Sequence, residues 1–183
     1  MQYRRVIAVV LILLLLLVPS AALAKAKKAR VKARKAPPAP ILKSALVVNH
    51  NTGDMLFSEN PDQMIPPASL TKIMTLYLVF EDLQQGRVRV NDPVAVSGKA
   101  YATKGTTMFL EKGETVALIE LIKGISVASA NDAAQAVAEH LGGGSAANFV
   151  ARMNGKAREL GMPRTRFMNP HGLPAKGQVT TAR

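Results

Sequence analysis

The sequence predicts a mixed α/β domain of the α+β kind, and three observations carry that reading. The stretch SALVVNHNTGDMLFSEN, residues 44–60, sets two short β-type runs around Asn51-Thr52-Gly53-Asp54, a turn whose glycine supplies the positive φ that a hairpin needs. A hairpin is predicted over 44–58. Ser69 then opens a pattern that runs to about Gln85, stops at Gly86, and places Leu70, Ile73, Met74, Tyr77, Leu78 and Val79 around most of the circumference. A helix apolar nearly all round is a buried one. From Thr115 the pattern stays helical, with small-residue packing, through TVALIELIKGI, NDAAQAVAEHLGG and SAANFVARMNGKARELG, interrupted at 126–130 and 142–144. A strand pair comes first and a helical block dominates the rest. Between them lie only turn signals, at Asn91-Asp92-Pro93, Lys104-Gly105 and Lys112-Gly113.

The N-terminus reads as an export signal rather than as part of this domain. Arg4 and Arg5 precede an apolar run of 13 residues, Val6 to Val18, followed by Pro19 and AALA. That is the three-part secretory pattern, with cleavage expected after Ala24, and the run is short of the roughly 20 residues that a membrane-crossing helix needs. Export to the periplasm or cell envelope is the expectation. The remainder has length for one domain with a real core, and the absence of cysteine leaves its stability to packing.

The formal charge of +12 is not spread evenly. Residues 25–35, KAKKARVKARK, hold seven basic and no acidic side chains, and the rest of the mature chain is near neutral. With APPAP at 36–40, residues 25–43 read as a solvated, Pro-stiffened linker. The same run offers electrostatic contact with anionic lipid head groups or acidic wall polymers. Few aromatics and an export signal argue against nucleic acid.

Chemistry centres on PPASLTKIMT, residues 66–75. On a helix Ser69 and Lys72 share a face one turn apart. A serine hydroxyl is a poor nucleophile unless a neighbour takes its proton, and lysine takes it only where burial lowers its pKa. A buried helix start meets that need, and its unpaired N–H groups favour a developing negative oxygen. The bland alternative is a capping serine with a snorkelling lysine; S-x-x-K is common by chance, and its place after PPA at the mouth of an apolar helix raises it. Ser129-Ala130-Asn131, between two helices, offers a hydroxyl for proton relay and an amide for a substrate carbonyl or the lysine. Of the three histidines, His50 falls at the hairpin turn, His140 ends a helix and His171 sits in NPHGLP. None belongs to a serine-elbow motif or shares metal-ligand spacing with another, so His171 is read as structural and no metal is predicted.

Four segments, PPASLTKIMTLYL, LIKGISVASANDAAQAVAEHLGG, FVARMNGKARELGM and TRFMNPHGLP, resemble in order successive segments of the D-alanyl-D-alanine carboxypeptidases, the low-molecular-mass penicillin-binding proteins. The resemblance runs from about Ser44 to Arg183. It implies a serine β-lactamase/transpeptidase-like fold acting without a cofactor on peptidoglycan stem peptides, with β-lactams as covalent inhibitors. It implies Ser69 as nucleophile, Lys72 as general base, Ser129 in proton transfer and Asn131 in substrate binding. A serine β-lactamase shares the fold and S-x-x-K, but Ser129-Ala130-Asn131 in place of Ser-Asp-Asn and the NPHGLP segment argue against it. The rival of another class is a non-catalytic wall-binding protein with the basic linker as its adhesive.

The family's third motif, Lys-Thr-Gly or Lys-Ser-Gly, follows none of the lysines here, and Lys104-Gly105-Thr106 has the wrong order. The resemblance places that motif on a later strand, so residues 44–183 are expected to form an incomplete catalytic domain whose hairpin has an open edge. Residues 25–183 alone are therefore expected to be unstable and to release D-alanine feebly. A circular-dichroism melt with a turnover assay checks this, and a cooperative melt with full turnover would sink it.

Overall fold

The computed structural model describes residues 42–183, so the predicted signal at 1–24 and most of the 25–43 linker lie outside the described residues. Strands β1 (Ala45–Val48) and β2 (Met55–Glu59) pair antiparallel. The Asn49 side chain accepts from Asn51 and Thr52 N–H, and Gly53 takes φ +77° to close the turn. The hairpin is where the sequence puts it. A second antiparallel pair, β3 (Pro93–Ala95) with β4 (Thr115–Ala117), was not expected.

Among the described residues there are five α-helices: α1 (Thr71–Gln84), α2 (Gly98–Tyr101), α3 (Leu118–Ala128), α4 (Asn131–Leu141) and α5 (Ala146–Glu159). Two boundaries correct the sequence reading. Thr115–Ala117 is strand, because Val116 packs beside Val94 across the β3–β4 ladder before the helical run begins. Ser69 lies not in α1 but in a 3₁₀ turn, Ala68–Leu70, that leads into it.

Helix α4 is the centre of the packing. Residues 131–138 are all buried, and the alanines among them let neighbouring backbones approach closely. On one side Ala133, Ala134 and Val137 meet Val79 of α1, Val94 and Leu118, Leu121 and Ile125 of α3. On the other, Ala138 meets Met74 and Leu78 of α1 and Ala146, Phe149, Met153 and Ala157 of α5. Asp82 of α1, only 2% exposed, receives Arg87 and, at 2.5 Å, Arg152 of α5, while Lys156 of α5 reaches Glu81 at 2.8 Å. A buried carboxylate is tolerable only when paired in this way.

Helix α1 departs from expectation on one side. Leu70 and Ile73 are each 66% exposed, and Tyr77 and Phe80 beside them are also open. Helices α3, α4 and α5 pack on the opposite face, while Phe167, Thr180 and Thr181 only flank this one across an open apolar groove. Every residue of β2 is likewise exposed. The all-round apolar pattern thus contains one buried stripe and one uncovered one.

Phe149, fully buried between α1 and α4, should be the most costly single truncation of the α5 contact. Phe149→Ala is expected to lower stability by about 3–5 kcal/mol, the range for deleting a core aromatic ring, measured by denaturant unfolding against the parent chain.

Candidate active site

Pro66 and Pro67 bring the chain into the 3₁₀ turn with Pro67 at φ −71°. Ala68 then adopts φ +47°, a left-handed conformation that costs a non-glycine residue of order 1–2 kcal/mol. This kink presents Ser69 at the surface while Lys72, three residues on, is 4% exposed. The Lys72 Nζ lies 3.4 Å from Ser69 Oγ and donates at 2.7 Å to the carbonyl of His171. Desolvation depresses the lysine pKa below its ordinary value, because burial disfavours the charged amine.

The partner of Lys72 comes from the loop 168–173, MNPHGL. Pro170 carbonyl accepts from Thr75 Oγ1 at 2.7 Å, one turn beyond Lys72 on α1. Gly172, at φ +90°, packs so close to the Ala68–Ser69 peptide that a β-carbon there would collide with the Ala68 carbonyl oxygen and come within 3.1 Å of Ser69 N. Asn169 shapes the turn: its Oδ1 accepts from Gly172 N at 2.7 Å and its Nδ2 donates to Leu173 O at 2.9 Å. His171 Nδ1 accepts from Leu173 N at 3.2 Å, which requires a neutral ring. Its pKa falls to about 4, first through burial and then through the charges of Lys72 and Lys99.

Ser129 ends α3 in a left-handed conformation, φ 56° and ψ 37°, and the sharp turn it makes starts α4 at Asn131. The buried Asn131 Nδ2 donates to Lys104 O at 2.8 Å, and its backbone N–H donates to Thr106 O at 2.7 Å. Gly105, at φ +89°, faces both the Asn131 amide and the Leu173 side chain. Leu173 follows the glycine that packs on Ser69, so the Ser129–Asn131 turn approaches the serine through Gly172–Leu173. Among the described residues the direct hydrogen bonds join Ser69 to Lys72 and Lys72 to His171; none runs from Ser129 or Asn131 to Ser69 or Lys72. The amide predicted for a substrate carbonyl or for the lysine holds the 104–106 loop instead.

Sequence reasoning missed the elements that work through backbone. The carbonyl of His171 has no side-chain signature, and a histidine read as structural gives no hint that its backbone accepts from the lysine. Gly172 carried a signal, an H-G-L-P punctuation of the kind that marks a positive φ, but not the identity of the peptide it touches.

The mixed α/β frame, with a serine turn entering a central helix, is of the penicillin-binding protein and β-lactamase-like transpeptidase class, as the sequence predicted. Residues 31–183 match the S11 peptidase family, described as D-alanyl-D-alanine carboxypeptidase, and the chain belongs to that family. It is 43% identical over 140 residues to the D-alanyl-D-alanine carboxypeptidase DacF of Bacillus subtilis (strain 168), covering 76% of this chain and 36% of the relative. It is 40% identical over 144 residues to DacC of Escherichia coli (strain K12), covering 75% and 36%. Penicillin binding protein 5 from Haemophilus influenzae superposes with a TM-score of 0.74 at 37% identity, over 80% of this chain and 43% of that one. The chain thus spans about a third of the length of these curated relatives.

Two glycines separate backbone strain from steric contact. Gly161 takes φ +73° with nothing near its missing β-carbon, whereas Gly172 takes φ +90° against Ala68. Gly161→Ala is expected to cost about 1–2 kcal/mol, the left-handed penalty alone, and Gly172→Ala clearly more, by denaturant unfolding of both variants. Equal losses would mean that the loop yields freely beside Ser69.

Proposed function

We propose that this chain carries the nucleophile half of an exported serine D-Ala-D-Ala carboxypeptidase that trims peptidoglycan stem peptides. The single observation that supports it most is the buried, desolvated Lys72 amine 3.4 Å from the exposed Ser69 hydroxyl. Membership of the S11 family supplies the reaction class.

In this reading the neutral Lys72 amine keeps one N–H on the His171 carbonyl and turns its lone pair to Ser69 Oγ. The serine oxygen attacks the carbonyl carbon of the penultimate D-alanine as its proton passes to Lys72 Nζ. The tetrahedral intermediate collapses, the C–N bond breaks, and the amine of the terminal D-alanine takes a proton as it leaves. Water then hydrolyses the ester, with the proton path reversed. Ser129 relays protons and Asn131 lines the substrate cleft, its amide fixing the 104–106 loop.

The same chemistry would make penicillins covalent ligands, and the Haemophilus relative is named as penicillin-binding. The basic run 25–35 would hold the enzyme to acidic wall polymers or anionic lipid in a salt-dependent way. Cleavage after Ala24 would release it beyond the inner membrane.

A fluorescent penicillin tests the reading. Ser69 should be labelled covalently, Ser69→Ala should lose the label altogether, and the labelled cell-envelope species should begin at Lys25 by mass spectrometry. Acylation needs the free amine, so the rate should fall as pH drops through the Lys72 pKa. Because desolvation depresses that pKa from 10.5, the half-maximal rate should lie below that pH. Labelling that survives Ser69→Ala would end the proposal.

A further inference from the structure

The His171 carbonyl is useful to Lys72 only if the loop that carries it is fixed in space, and one side chain outside the predicted site does the fixing. Gln178 is 6% exposed. Its Oε1 accepts from Met168 N at 3.1 Å and from Asn169 N at 3.2 Å, while its Nε2 donates to Leu173 O at 3.1 Å. One amide therefore spans both ends of the 168–173 loop. The amide cannot be turned over, since that would set two donors against N–H groups and an acceptor against a carbonyl.

The backbone beside Gln178 is itself anchored. Val179 exchanges hydrogen bonds with Arg166 at 2.9 and 3.0 Å, and Thr180 exchanges a pair with Ile65, both at 2.8 Å. Ile65 stands four residues before Ser69. Gln178 thus refers the loop to the same stretch of chain that delivers the serine. Asn169 gives the loop its shape, Thr75 ties Pro170 to α1, and Gln178 joins the loop to the frame on the far side.

We propose that Gln178 is a positioning residue for the acylation step, holding the His171 carbonyl where it orients the Lys72 amine toward Ser69 and keeps water from it. The inference rests on Ser69 being the acylated residue and Lys72 its base. Loss of the staple should let the loop drift and admit water to Nζ, relieving the desolvation that depresses the lysine. The groups facing Lys72 are Ser69 from its own segment and His171 from the loop, with Lys99 of α2 beyond the imidazole. His171, at about 4, stays neutral throughout the range in which the amine titrates.

The test is the second-order rate of labelling by a fluorescent penicillin as a function of pH, in the full chain and in Gln178→Met, which keeps volume and apolar fit but removes all three bonds. The expected result is a rate lower by ten- to hundredfold, as for misplacement by about 1 Å, with the acidic limb moved to higher pH. Gln178→Asn, which withdraws the amide by one methylene, is the milder variant if the methionine fails to fold, and its limb should move the same way. A folded variant with a lower melting temperature but a rate within twofold and an unmoved limb would make Gln178 merely structural and overturn the inference. A parent chain that takes no label at Ser69 would overturn the inference and the proposed function together, so the two failures are distinct.

Discussion

The structure depends on burying one ammonium. Lys72 is almost wholly removed from water, and a cation in that position without partners would cost several kcal/mol. Its strong contact is not the serine at 3.4 Å but the His171 carbonyl at 2.7 Å. Two segments nearly a hundred residues apart are therefore one structural unit. The tight approach of Gly172 to Ala68, the left-handed kink at Ala68 and the Thr75–Pro170 bond all follow from bringing that carbonyl to that amine.

The same arrangement sets the electrostatics. A carbonyl stabilises the ammonium without neutralising it, so desolvation still dominates and the pKa is lowered. A carboxylate in its place would have held the proton on the lysine and left no base. His171 contributes its backbone as acceptor while its ring, pushed to about 4, adds no second charge near neutral pH. A histidine here is thus compatible with a base next door, although its side chain takes no part in the proton transfer.

Much of this was legible before any coordinates. The Asn49–Asp54 turn announces its hairpin through Gly53, α4 and α5 begin within a residue of where periodicity puts them, and the Ser69–Lys72 spacing places hydroxyl and amine together. What stayed hidden has physical reasons. The β3–β4 pair is three residues a side, too short for an alternating pattern to stand out from the helical run that follows. The bond from the Asn131 amide to Lys104 was hidden because its partner is a backbone carbonyl. Gln178 has no periodic neighbours at all, and its value comes only from the three backbone groups that the fold gathers around it.

The orientation of α1 shows why composition misled the reading of burial. Lys72, Thr75, Val79 and Asp82 follow the 3,4,3 spacing of one helix face, and all are buried; Leu70, Ile73, Tyr77 and Phe80 follow it on another, and all are exposed. The inward face also carries Met74 and Leu78, so hydrophobicity alone does not choose between the two faces. Each inward polar group except one has a partner: the His171 carbonyl for Lys72, the Pro170 carbonyl for Thr75, and Arg87 and Arg152 for Asp82, with only Thr71 Oγ1 left without a bond. Rolling α1 to bury Ile73 and Phe80 would break three such contacts, each leaving a stranded group worth about 1–3 kcal/mol or more. Ile73 and Phe80 would return about 1.5–3 kcal/mol each on full burial, but the same roll would expose Met74, Leu78 and Val79, so the inward face holds. The direction in which Ser69 faces is set by hydrogen bonds on the inner side of α1, and the exposed apolar stripe is the consequence.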